Sequence, residues 1–215
     1  LVALHVPKTD PLHKVTIIPR GRALGVTMQL PERDHLSHTK LFLESRLAIL
    51  FGGRIAEELI FGPENVTTGA ASDIQVATQM ARGMITAYGM SDKLGPMVYG
   101  DNEGEVFLGR SVTTHKNMSE ATMQQVDSEI RRIIDEQYGL ARKLIEDNRD
   151  KVEAMTAALL EWETLDADQL EDIMAGQPPR PRPSGTSGAL DWYPVFCVTL
   201  PALLVSIPVP CRACD

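Results

Sequence analysis

The sequence predicts a mainly α fold: a multi-helix domain with a small β-hairpin or two-stranded sheet near the N-terminus. Three observations predict it. Aliphatic residues recur at helical spacing through most of residues 40–174. Aromatic residues are only 5% of the chain against 43% hydrophobic residues overall, so aliphatic side chains and Met must fill the core, which disfavours an aromatic-rich β-sandwich. The β-branched runs Val15–Pro19 and Gly25–Leu30 lie within the first 30 residues, with Gly21 and Gly25 in the connection between them.

The elements follow in order. Residues 1–6 read as a last helical turn stopped before Pro7, and the strand pair comes next. Leu43, Leu47, Leu50 and Phe51 then share one helix face. Gly52-Gly53 sits inside that pattern, at a cost of about 1 kcal/mol per glycine relative to alanine. Either the helix breaks there or close backbone packing offsets the cost. The face resumes at Ile55 and Leu59 and stops at Gly62-Pro63.

After the loop Thr67-Thr68-Gly69, a helix is predicted from about Ala71 to Tyr88. Its stripe is Ile74, Ala77, Met80, Ala81, Met84, Ile85 and Tyr88, and Gly89 is its stop. Residues 90–118 are read as irregular. Ser119 caps a long helix with Glu120 in its first turn, where the helix dipole favours an acid. Met123, Val126, Ile130, Ile133 and Ala141 keep its period. Val152, Met155, Leu159 and Trp162 continue on another helix. Asp166 with Gln169 three residues on opens a last short helix as a capping box, ending at Gly176. The domain is therefore drawn as 1–176, with a Pro/Arg-rich linker at 177–183. Residues 184–215 are read as an atypical apolar, cysteine-bearing tail, disordered or non-native to the domain.

Charge and cysteine usage narrow the function. The net charge of −8 is concentrated in residues 63–176, which carry −11. That acidity excludes nucleic-acid binding, which needs a basic face for phosphates. All three cysteines lie in the last 19 residues, so the body has neither a disulfide framework nor cysteine chemistry. No segment reaches the roughly 20 apolar residues of a membrane helix.

Asp73 is the informative position. It shares a helix face with Ala77, Met80 and Met84, and a carboxylate on an apolar stripe is costly unless paired or bound to a cation. Spacing alone leaves two partners open: free amides of the first helical turn, or a metal. Other candidate donors are weaker. His35 and His38 read as exposed histidines of a polar loop, and His5 and His13 as structural residues flanking a turn. Of Glu57 and Glu58, one should face inward, with a salt bridge as the simplest role. Cys211 and Cys214 are half a zinc knuckle. There is no His-Glu-x-x-His, P-loop or Gly-x-Ser-x-Gly in the sequence.

Several blocks together resemble the FtsH family of AAA membrane proteases. They are Leu1-Val2-Ala3 with Pro7-Lys8-Thr9-Asp10-Pro11, His13–Gly21, Ala23-Leu24-Gly25-Val26-Thr27, and Gly52-Gly53-Arg54-Ile55-Ala56-Glu57-Glu58. Val66–Ile74, Met90–Pro96 and Glu105–Arg110 complete the set, in order over residues 1 to about 176. The resemblance implies a zinc metalloendopeptidase that degrades membrane and misfolded proteins. Its zinc is held by two histidines of a helical His-Glu-x-x-His and by a later aspartate, which by position is Asp73.

It further implies that the histidine motif, with its general-base Glu, directly precedes Leu1, so no catalytic residue is expected within the chain and the chain alone is expected to be inactive. An ATPase module binding ATP and magnesium, membrane helices and a homo-hexamer are implied for the parent, with the peptidase domain on the cytoplasmic side in bacteria. Residues 23–27 are the expected substrate-binding strand, pairing with protein backbone through its edge. The alternative is a non-catalytic helical assembly module of the ring.

Overall fold

A computed structural model describes residues 1–19, 21, 23–31, 36–99 and 118–181, and the backbone of 198–199. The readings made for His35, Glu105–Arg110 and most of 184–215 lie outside these residues. In chain order the elements are α1 (Val2–His5), β1 (Leu12–Thr16), β2 (Val26–Gln29), α2 (Lys40–Phe61) and α3 (Ala71–Thr86). Then come α4 (Glu120–Asp147), α5 (Arg149–Trp162), β3 (Thr164–Asp166), α6 (Ala167–Met174) and β4 (Val198–Thr199).

The fold is mainly helical with an N-terminal hairpin, as the sequence predicts. Helix α2 runs unbroken through Gly52-Gly53. A Cβ on Gly52 would lie 3.4 Å from Val2 Cγ2, so the missing side chain lets α1 pack directly on the α2 backbone. Thr39 caps α2 and Ser119 caps α4, each accepting from the backbone amide three residues on. The main core lies where α2, α3 and α4 meet, around Leu47, Ile55, Ala77, Met84 and Ile133.

Helix α3 stops at Thr86, so Tyr88 leaves the helical register and is exposed, its ring lying over Gly83. Ile74, on the flank of the stripe, is also exposed. Gly89 turns the chain at φ +61, and a Cβ there would come within 2.8 Å of the Pro96 backbone. Gly89→Ala must therefore adopt a left-handed conformation, costing about 1–2 kcal/mol, and also push Pro96 away. A drop in Tm of roughly 5 °C or more is expected in a thermal melt.

The sheet is larger than the predicted pair, with order β3-β1-β2-β4 and all neighbours antiparallel. Local propensity missed β3, which enters between α5 and α6. Glu163, at φ 58, ends α5 in the left-handed region and turns the chain into β3. Its carbonyl accepts from the Ile17 amide and the Thr16 hydroxyl, and Thr16 and Thr164 hydroxyls lie 2.7 Å apart. Strand β1 starts at Leu12 rather than Val15, because Leu12 pairs with Gln29 of β2. Leu12 enters a second core with Leu159, Leu165, Leu170 and Ile173, which closes the N-terminal hairpin onto the C-terminal helices.

The capping box of Asp166 and Gln169 is present on α6. Past Gly176 the chain stays docked: the Arg180 guanidinium donates to both Asp172 carboxylate oxygens, and Gln169 Nε2 donates to the Arg180 carbonyl. No helix among the described residues is long and apolar enough to cross a membrane.

Candidate metal and peptide-binding site

Asp73 lies in the first turn of α3 and is 2% exposed, on the same face as the fully buried Ala77, Ala81 and Met84. The inward placement read from helical spacing is therefore what the fold adopts. Asp73 also has an interaction partner within the protein.

The loop leading to Asp73 is held from α2. Glu57 is fully buried, and its carboxylate accepts from the Thr67 amide at 2.9 Å and the Thr67 hydroxyl at 2.8 Å. The same Thr67 hydroxyl accepts from the Gly69 amide at 3.1 Å, which caps the single 3-10 turn Thr68–Ala70. Ala70, 1% exposed, then feeds directly into α3. Glu57 thus sets the start of α3, and with it the position of Asp73.

Sequence reasoning expected one of Glu57 and Glu58 to face inward and a salt bridge as the simplest role. The two residues divide those parts. Glu58 pairs with Arg54 at 3.0 Å and with Arg142 at 3.6 Å. Burial together with the Glu58 carboxylate pushes the neighbouring Tyr138 phenol up to about 12. The role of Glu57 toward Thr67 was missed, although Leu50 lies seven residues before it, two helical turns, and so marks the inward face.

Removing the Glu57 carboxylate leaves the Thr67 amide and hydroxyl without their acceptor. Glu57→Ala is expected to lower unfolding stability by about 1.5–3 kcal/mol, the scale of hydrogen bonds to a charged acceptor. Amide hydrogen exchange should speed up at Thr67–Ala70 more than in α4. Uniform acceleration through the fold would show that Glu57 supports the core rather than the loop.

Among the described residues, the other candidate donors do not gather around Asp73. His5 Nδ1 lies 3.1 Å from the Leu1 carbonyl, and His38 stacks on Phe42 with ring centroids 4.8 Å apart. Among the described residues no three His, Cys, Asp or Glu side chains converge on one point. These residues by themselves do not fit a complete zinc centre: they offer one well-placed carboxylate.

Of residues 23–27, Val26 and Thr27 belong to β2, while Leu24 sits in an exposed bend and Gly25 is buried. Strand β2 bonds β1 on one side; on the other it faces β4, with Val26 opposite Thr199 and Thr27 opposite Val198.

Comparison with protein-family models matches residues 1–173 to Peptidase family M41. The chain belongs to peptidase family M41. Similar curated relatives carry the name ATP-dependent zinc metalloprotease FtsH. The protein from Cupriavidus metallidurans is 58% identical over 188 residues, covering 87% of this chain and 28% of its own length. The protein from Photobacterium profundum is 56% identical over 170 residues, 79% of this chain and 24% of its length. That from Caulobacter vibrioides is 53% identical over 182 residues, 84% and 29% respectively. The chain thus spans 24–29% of the length of these relatives. The M41 match takes in α1 to most of α6, so it includes the Glu57–Thr67–Asp73 arrangement and β2.

Proposed function

We propose that this chain is part of the peptidase half of an ATP-dependent zinc metalloendopeptidase, and that Asp73 supplies its aspartate zinc ligand. The observation that carries this is the buried Asp73 carboxylate at the start of α3, held in place through Thr67 by Glu57, in a chain matched to M41 over residues 1–173. The two remaining ligands and the general-base Glu come from a His-Glu-x-x-His outside these residues. Zinc, when bound, lowers the pKa of its water to about 7 and so supplies a hydroxide-like nucleophile for the peptide bond. ATP and magnesium belong to an ATPase module elsewhere in the parent. The parent acts as a membrane-anchored homo-hexamer on membrane and misfolded proteins, with this domain on the cytoplasmic side in bacteria.

The role of β2 is to add the backbone of an extended substrate to its edge. Main-chain bonds tolerate many side chains, which suits a protease of broad specificity. Residues 23–25 set the approach to that edge, and Val26 and Thr27 present its backbone groups.

The test has two arms. A full-length protein containing this chain should hold one zinc per subunit by elemental analysis and cleave unfolded casein in the presence of ATP. The 215-residue chain alone should do neither, because a complete protein zinc site contributes roughly 10–16 kcal/mol and one carboxylate cannot. Stoichiometric zinc with casein cleavage by this chain alone would sink the assignment of the missing ligands. For β2, Thr27→Pro deletes the amide donor on the side away from β1, since Leu30 bonds Pro11 across the hairpin and Thr27 alternates to the other side, and it should raise the KM for casein. An unchanged KM would count against the edge.

A second reading, a ring-assembly module, has one observation behind it. A cleft of about 570 Å3 between α2 and the α4–α5 corner leaves Ile60 and Leu160 exposed. Light scattering decides: a defined hexamer of this chain without zinc favours assembly, and a monomer weighs against it.

A further inference from the structure

The backbone placement of the tail strand β4 is not used by the function proposed above. It bonds β2 antiparallel at Val26 and Thr27, two of the residues expected to receive substrate. It also lies against α3, the helix that carries Asp73. We infer that the chain's own residues 198–199 occupy the peptide-accepting edge of β2, so that the C-terminal segment competes with an extended polypeptide for the same backbone groups. The inference rests on the edge-binding role of β2.

The sequence explains why this segment can enter as a strand. Val195-Phe196-Cys197-Val198-Thr199-Leu200 is rich in β-branched and aromatic residues, and Pro194 and Pro201 bracket it. A proline cannot donate to a ladder, so pairing cannot spread past either end. A two-residue pair offers few backbone bonds, each worth about 0.5–1.5 kcal/mol net. Such an occupant holds the edge reversibly rather than sealing it.

The tether makes so weak a strand effective. Arg180 is pinned to α6 by Asp172 and Gln169, so the tail leaves the domain from a fixed point. The 17 residues between Arg180 and Val198 reach at most about 3.6 Å each. A tether of this length gives an effective concentration on the order of millimolar at the edge. A substrate strand in trans must outcompete it, so weak or transient peptides are excluded while long unfolded chains, which make more bonds, displace the tail.

The experiment uses the full 215-residue chain and a fluorescein-labelled peptide of residues 194–201 carrying Cys197→Ser, followed by anisotropy. Adjacent strand residues point their amides to opposite sides, so one of Val198 and Thr199 must face β2. Val198→Pro with Thr199→Pro therefore removes the donor whichever it is. If β4 occupies the edge about nine-tenths of the time, the double variant should bind the peptide about tenfold more tightly than the parent chain. Thr27→Pro, which removes the donor facing β4, should abolish binding in both.

Equal affinity of the parent chain and the double variant, with loss on Thr27→Pro, would overturn the self-occupancy while leaving the edge site standing. No binding to either would remove the edge site and this inference with it. Amide hydrogen exchange gives a readout that does not need Thr27→Pro to fold. The Thr27 amide faces β4, and its exchange should accelerate in the double-proline variant. Unchanged exchange at that amide would overturn the inference.

Discussion

Asp73→Asn, placed in a full-length M41 protease carrying this domain, should release the zinc and lower casein hydrolysis by more than a hundredfold. The substitution keeps the shape of the side chain and removes only its charge. A neutral amide oxygen is a poor zinc donor, and loss of a residue that merely supports a ligand already costs about 10–100-fold. Because Asp73 sits in the first turn of α3, its charge also interacts favourably with the helix N-terminus. That contribution is only about 0.3–1 kcal/mol. The two roles therefore separate in one experiment. If Asp73 is a ligand, zinc content falls to near zero while the melting temperature of the 215-residue chain moves by a few degrees at most. If it serves only the helix end, zinc is retained and the small stability loss is the whole effect. Retained stoichiometric zinc in Asp73→Asn would exclude the ligand role.

The largest stability effect outside the site is expected at Glu129. This residue of α4 is 1% exposed and accepts from the Ser91 hydroxyl at 2.9 Å. It also pairs with Lys93 at 2.8 Å and with Arg132 at 3.0 Å. Ser91 in turn accepts from the Lys93 and Leu94 amides, so Glu129 fastens the turn after α3 onto α4. Hydrogen bonds from Arg132 and then Lys93 hold the Glu129 carboxyl down at about 2, against burial, which acts in the opposite direction.

The sign follows from the depressed value. The carboxylate stabilises the fold fully above its unfolded pKa of about 4.3 and loses that stabilisation as pH falls from there toward about 2. The contribution is about 2–3 kcal/mol, kept below the full linkage value because Lys93 is largely in water. Glu129→Gln should lose this amount at pH 7 and flatten the stability curve between pH 4.3 and 2, measured by urea unfolding at each pH. An unaltered acid limb in the variant would show that other carboxylates control acid unfolding.

The family resemblance, the helical architecture and the inward turn of Asp73 were all legible in the sequence. Each depends on residues within a few positions of one another. The caps at Ser119 and Asp166, the stop at Gly89 and the stripe through Ala77 and Met84 are set by bonds and periodicities no longer than two helical turns. Even the inward carboxylate at 73 is a local statement, since it follows from which face the neighbouring aliphatics choose.

Tertiary structure alone decided what meets those faces. Periodicity says that Glu57 points inward; only the packed chain shows that it meets Thr67 and fixes the start of α3. The third strand depends on Thr16 meeting Thr164, a separation of 148 residues, and the tail strand on Val26 meeting Thr199. A side chain's direction is fixed by its own helix or strand, but its partner is fixed by how distant elements close together. Asp73 shows both halves: its burial belongs to the sequence, and the support that holds it belongs to the fold.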